Sequence, residues 1–359
     1  MKSRLLMNAL LVLSLGNLGC LGLTRSPSAI LDGLGRSAAH GLVDGTVEGT
    51  RKCAPLKTRS VGFDEEHALG GALALNWVAR GGGLAGGDTT PKPFATKAAQ
   101  EAQRELNLIG RNLAFQSERP YLPWTFGILE SDGFNAISAP AGYVFVTRGL
   151  LHEVKDEAQL AGVLAHEIAH ITLQHAITEY RKAIHQQCLH AAMAEGVSNA
   201  ATRQMNYALN RSVLGLLGNN RIDFSAVTEE TRVFLTGMTE GLLKTLFDRG
   251  YSAEDEFTAD LVALHLMANA GYDPEAYIEL LGALPDSKED RLATAHPGKT
   301  DRQKRLREEL ARAKKQADDP NALLPLTTVA TSRGALPKAL AAMKQAPAKD
   351  TRHSSTTAP

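Results

Sequence analysis

From residue 157 to 177 the apolar positions fall at Leu160, Val163, Leu164, Ile168, Ile171, Leu173 and Ile177. Spacings of three and four place residues on one side of a helix, and this set wraps nearly the whole circumference. The pattern predicts a central, buried helix that continues to Ile177. Asp156 is placed to cap it, with Glu157 in the first turn and Gln159 behind it.

Other stretches read differently. "FDEEHALGGALALNWVARGG" predicts a helix capped by Asp64, with Ala68, Leu69, Ala72, Leu75 and Val78 as its apolar positions and Gly81 to Gly83 as its stop. "ATKAAQEAQRELNLIGRNLAFQS" predicts a second amphipathic helix. "PWTFGILES" alternates, with Trp124, Phe126 and Ile128 on one face, and "FNAISAP" and "GYVFVTR" follow it. Asp132-Gly133 and Ala141-Gly142 are turn signals, so a sheet of about three strands is expected. After Arg148 the pattern is helical. Ser252 with Asp255 signals a helix start, Gly271 its end, and Asp273-Pro274 the start of the next. The fold class is therefore α+β, mainly helical.

The two ends lack this patterning. Lys2 and Arg4 precede a short apolar run from Leu5 to Leu15, the order of a secretory signal peptide over residues 1–20. The run is short of the roughly 20 residues a membrane span needs. Leu18-Gly19-Cys20 resembles a lipoprotein cleavage site, although Asn17 stands where an aliphatic residue is usual. Lipidation at Cys20 and ordinary cleavage nearby are both open. Residues 21–59 read as a flexible tether, and 313–359 as a disordered tail rich in Ala, Pro, Lys, Ser and Thr. Between them lies one domain, 60–312, with a helical insertion at 198–249. The 43% hydrophobic content suits a packed core, and 39 basic against 39 acidic residues give no sign of a nucleic-acid partner. Cys53 and Cys188 could pair in an oxidising compartment, or remain unrelated.

The buried helix carries ionisable residues, which are costly inside unless compensated. His166-Glu167-x-x-His170 is the HExxH pattern. Residues i and i+4 share a helix face, so His166 and His170 can reach one ion. Glu167 lies about 100° round the axis and faces an open coordination position. HExxH also occurs by chance, so a third ligand decides the matter. His175 is nine residues beyond His166, about 180° away on a continuous helix, and reads as a packed or partly exposed histidine. Glu256 and Asp260, four apart on a later helix, fit better. Glu256 can complete a His-His-Glu zinc site, and Asp260 can accept the second ring N–H of a ligating histidine. His185, Cys188 and His190 lack a fourth ligand for a second site.

At these residues the chain resembles the gluzincin metallopeptidases of the family that contains HtpX, the CAAX prenyl endopeptidases and the BepA-type proteases. The matching segments are "FDEEHALG", "NAISAPAGYVFVTRGLL", "LAHEIAHITLQHA", "EDEFTAD" and "AHPGKTDR", in order from about Val61 to Arg312. Ile137 and Ala141 depart mildly from the family pattern. The resemblance implies a zincin-like domain with a small sheet over the HExxH helix and one zinc per chain. It implies that His296 is a gate at the open position or an oxyanion donor, against a plain loop histidine. Arg302 either pairs with an acid of the site or sits on a solvated helix.

The expected chemistry is peptide hydrolysis, with zinc on His166, His170 and Glu256, and Glu167 as general base on the water that zinc activates. An extended peptide would add to the sheet edge around Asn135, Pro140, Gly142 and Tyr143. Expected partners are polypeptide substrates, envelope assembly factors and a membrane through a lipid at Cys20, in the periplasm or cell envelope. Two alternatives remain. One is a chaperone-like factor that uses the same groove with little turnover, and the presence of Glu167 favours an enzyme over it. The other is a structural zinc protein, which usually takes four Cys or His ligands.

Overall fold

In the computed structural model, described for residues 51–85, 97–195, 250–283, 299–317 and 331–344, the alternating stretch forms three short strands. They are β1 (Thr125–Leu129), β2 (Ala136–Ala139) and β3 (Tyr143–Thr147). Their order is β1-β3-β2, parallel between β1 and β3 and antiparallel between β3 and β2. Side chains alternate between the faces of a strand. Phe126, Ile128, Ala136, Val144 and Val146 join one buried cluster, and Leu129, Ile137, Ala139 and Phe145 join the other.

Helix α1 (Phe63–Arg80) covers the second face. It buries Glu66, Gly70, Leu73, Ala74 and Trp77, whereas Leu75 is 74% exposed. This corrects the apolar face expected from the sequence. The helix is apolar nearly all round, and close approach selects the side: a Cβ on Gly70 would lie 1.9 Å from the Pro140 carbonyl oxygen. Gly62, not Asp64, is its N-cap.

The first face packs on α2 (Lys97–Phe115) and α4 (Glu157–Thr172), with the short α3 (Arg148–Glu153) between strand and helix. Every residue of α4 from Ala158 to Ile171 is buried. Asp156 caps α4 by accepting from the Gln159 N–H at 2.8 Å. Helix α4 ends at Thr172, Gln174 takes φ +58°, and α5 (His175–Glu195) begins at His175. The single helix expected to run on to Ile177 is therefore two.

Helices α6 (Ala253–Asn269) and α7 (Pro274–Ala283) pack on α4, and α8 (Lys299–Ala317) packs on both. Ser252 and Asp255 form the expected capping box of α6. Gly271 and Tyr272 lead into α7 at Pro274.

The expectation of a disordered tail from residue 313 fails for the part described. Helix α8 reaches Ala317, and α9 (Lys338–Met343) buries Leu340 and Met343 against α2. The carbonyls of Arg333 and Gly334 accept from Ala158 and Glu157 in the first turn of α4. Such first-turn donors have no partner within their own helix. The few apolar residues of this stretch thus complete the core instead of leaving it.

The chain divides into two compact units. One comprises Met1–Cys53 and Cys188–Asn206, the other Ala54–Gln187 and Tyr207–Pro359. The smaller unit contains the Cys53–Cys188 disulfide, with Cα atoms 5.8 Å apart. All elements of the site described below belong to the larger. Among the described residues no helix is long and apolar enough to cross a membrane. The expected signal peptide with Cys20, most of the expected tether, the expected insertion at 198–249 and His296 lie outside the described residues.

Candidate metal centre

Helix α4 brings His166 and His170 onto one face, and α6 lays Glu256 against them. The two Nε2 atoms are 3.0 Å apart. Glu256 Oε2 lies 3.5 Å from His166 Nε2, and Oε1 lies 3.5 Å from His170 Nε2. All three side chains are buried. Among the described residues they form the one group of His, Cys, Asp and Glu donors that converges within 4.8 Å. Cys188 is committed to its disulfide and is no ligand.

The far nitrogens of both imidazoles also have neighbours. Asp260 Oδ1 lies 2.9 Å from His166 Nδ1, and His175 Nδ1 lies 2.7 Å from His170 Nδ1. The break at Gln174 turns His175 back to His170. This corrects the sequence expectation that His175 points away. Burial pushes His175 below its ordinary value. Tyr251 stacks on His170, with ring centres 4.2 Å apart and planes at 19°.

Arg302, from α8, lies against the two acids of α6 instead of on a solvated face. It is 5% exposed, and its Nε and Nη2 donate to Asp260 at 2.7 and 2.6 Å. Its Nη1 lies 2.8 Å from Glu256 Oε2. Tyr277 of α7 donates to Asp260 Oδ1 at 2.8 Å. Burial works to raise the Asp260 carboxyl, but hydrogen bonds from Arg302 and His166 hold it below the usual range.

These residues fit a divalent cation. With ionised carboxylates, Glu167, Glu256 and Asp260 carry three negative charges against one positive charge on Arg302, and all four side chains are buried. An uncompensated buried charge is strongly unfavourable. Two excess negative charges match one divalent ion. Without a cation, part of that excess falls on His166: burial opposes its protonation, yet Asp260 and Glu256 raise it to about 9, and a bound ion would take the place of that proton.

Glu167 is 2% exposed and lies near Tyr251, whose hydroxyl is pushed well above its ordinary value by burial and then by the charges of Glu167 and Glu256. A small cavity beside His170 is lined by Tyr251, Gln174, Glu66 and residues Ser138 to Pro140 at the end of β2. Of the expected substrate-strand residues, Asn135 leads into β2 and is buried, its Nδ2 without a hydrogen-bond partner among the described residues. Pro140 and Gly142 build the turn after β2 and touch α1 and Trp124 backbone, and Tyr143 is half-buried at the start of β3. The turn rests on Glu66, which accepts from the Ala141 N–H at 3.1 Å and from both Nη atoms of Arg119 at 2.8 Å.

His175, Tyr251, Tyr277 and Glu66 were not singled out as site residues from the sequence. Glu66 stands among three acids in the first turn of α1, with no spacing that marks it, and no glycine or proline announces the break at Gln174.

Residues 100–310 match the model of peptidase family M48, more than half of the chain. The chain belongs to peptidase family M48. Similar proteins include one named beta-barrel assembly-enhancing protease from Escherichia coli O157:H7, 25% identical over 197 residues, or 54% of this chain and 35% of that protein. Another is the mitochondrial metalloendopeptidase OMA1 of Bos taurus, 31% identical over 153 residues, or 43% of this chain and 24% of that protein. The chain thus spans 35% or less of the length of these two relatives. The M48 match spans α4 to α7 and reaches Arg302 on α8, and so contains every residue around the metal centre, whereas Glu66 on α1 lies outside it.

Proposed function

We propose that this protein is a zinc-dependent endopeptidase of the cell envelope that cleaves extended or misfolded polypeptides. The observation that carries the reading is the buried convergence of His166, His170 and Glu256, with Glu167 beside it on α4. Two imidazoles and one carboxylate are a donor set suited to zinc with a coordination position left open. When bound, zinc supplies a Lewis acid that polarises a carbonyl and eases deprotonation of water.

The chain's own residues do the rest. Glu167 takes a proton from the attacking water and passes it to the departing amine. Water adds across the C–N bond, so a carboxylate and an amine result. Asp260 orients His166 and is held in turn by Arg302 and Tyr277. Strand β2 lies at the sheet edge, where an extended substrate can pair with its backbone. Backbone pairing reads no sequence, which suits unfolded clients.

Three observations support the envelope. The N-terminus has the order of an export signal with a lipidation candidate at Cys20. The Cys53–Cys188 disulfide suits an oxidising compartment. Relatives carry the name beta-barrel assembly-enhancing protease. Elemental analysis tests the centre: the purified chain should hold one zinc, and Glu256→Ala should lose it. Unchanged zinc in Glu256→Ala would remove Glu256 from the ligands.

A further inference from the structure

His170 can offer Nε2 to a metal only if that nitrogen is unprotonated. The neutral ring then carries its proton on Nδ1. His170 is 1% exposed, so this N–H needs an acceptor inside the protein. His175 Nδ1 stands 2.7 Å away. To accept, His175 must carry its own proton on Nε2, and Asp255 Oδ1 lies 3.7 Å from that atom. The other oxygen of Asp255 is bound by Ser252 in the capping box of α6, next to Glu256.

We propose that His175 is a positioning residue of the metal centre, accepting the Nδ1–H of His170 and so fixing the tautomer that turns Nε2 to the ion. The inference rests on the reading of His166, His170 and Glu256 as metal ligands. Two observations besides the distance carry it. Gln174 holds φ +58°, a region that non-glycine residues avoid. On an unbroken helix residue 175 would lie about 140° round the axis from His170, so the strained break is what the contact requires. The ring of His170 is also pinned by the stacked Tyr251, leaving its Nδ1 directed at His175. The two ligating histidines thus have separate anchors: an acid from α6 for His166, and a second histidine with an acid behind it for His170.

The test measures zinc affinity by competition with a chromophoric chelator. His175→Phe keeps a ring but removes the acceptor, and His175→Gln restores an acceptor oxygen. The expected result is about a 10- to 100-fold loss for His175→Phe and most of the affinity regained in His175→Gln, with unchanged thermal midpoints of the metal-free proteins. Equal affinity of His175→Phe and wild type overturns the proposal while leaving the ligand set intact. Failure of wild type itself to bind zinc overturns the ligand reading, and this proposal with it. Should His175→Phe not fold, the cobalt-loaded wild type decides. The shifted Nδ1–H resonances of His166 and His170 should both resist solvent exchange, and rapid exchange of the His170 signal overturns the proposal.

Discussion

Arg302 grips the Asp260 carboxylate with two hydrogen bonds, 2.7 and 2.6 Å long, in a place where both side chains are buried. The same guanidinium reaches Glu256, so one cation from α8 serves two acids of α6. Removing one partner of a buried pair leaves a buried charge unmatched. Arg302→Leu should therefore lower the stability of the metal-free protein by about 3–5 kcal/mol. Chemical denaturation measures it, and a loss under about 1 kcal/mol would mean the pair is solvated.

The pair also sets a pH dependence. The folded value of Asp260 is depressed, so its contribution is fully present above the unfolded carboxyl value of about 4 and is lost as pH falls through the folded value. The stability gap between wild type and Asp260→Asn, both metal-free, should be wide at neutral pH and close in acid. Denaturation curves across that range check it, and a gap independent of pH would count against the assignment.

Gly162 allows α7 to approach α4. A Cβ there would lie 2.5 Å from Cβ of Tyr277, the residue that donates to Asp260. Gly162→Ala should cost about 1–3 kcal/mol by overpacking and weaken zinc binding through Asp260. Gly71→Ala is the control, because its Cβ meets nothing closer than the Tyr143 hydroxyl at 3.8 Å. Thermal melts and zinc titrations of the two variants should separate them.

Glu66 connects α1 to the turn that follows the edge strand. Ala141 holds φ +65° there with its N–H on Glu66. Glu66→Ala should leave the zinc content at wild-type level and lower kcat/KM for peptide substrates by about tenfold or more, since small displacements of the proposed substrate edge would be costly. Steady-state kinetics on the zinc-loaded variant test this, and unchanged kcat/KM would detach the turn from substrate binding.

Much of the site could be read from spacing. His166 and His170 share a helix face by their i, i+4 separation, and so do Glu256 and Asp260. The capping signals at Asp156 and Ser252 placed both helices. The alternation around Phe126 and Val144 gave the sheet. What spacing missed depends on distant contacts. Arg302 sits on a helix of strongly polar composition, and its burial follows from two acids about 45 positions earlier in the chain. Glu66 becomes a turn anchor through Arg119 and Ala141. Helical spacing puts His175 on the far side because the left-handed turn at Gln174 has no glycine to mark it. Leu340 and Met343 are too few to make a pattern, yet they fill a site on α2.

In the proposed reaction Glu167 is the proton carrier of a metal-dependent hydrolysis. Glu167→Gln removes the base and leaves His166, His170 and Glu256 in place. The most direct measurement is hydrolysis of an unfolded polypeptide by this variant, with its zinc content determined on the same sample. One zinc per chain and a loss of at least about 100-fold in kcat are expected. Full zinc together with undiminished hydrolysis would contradict this role of Glu167.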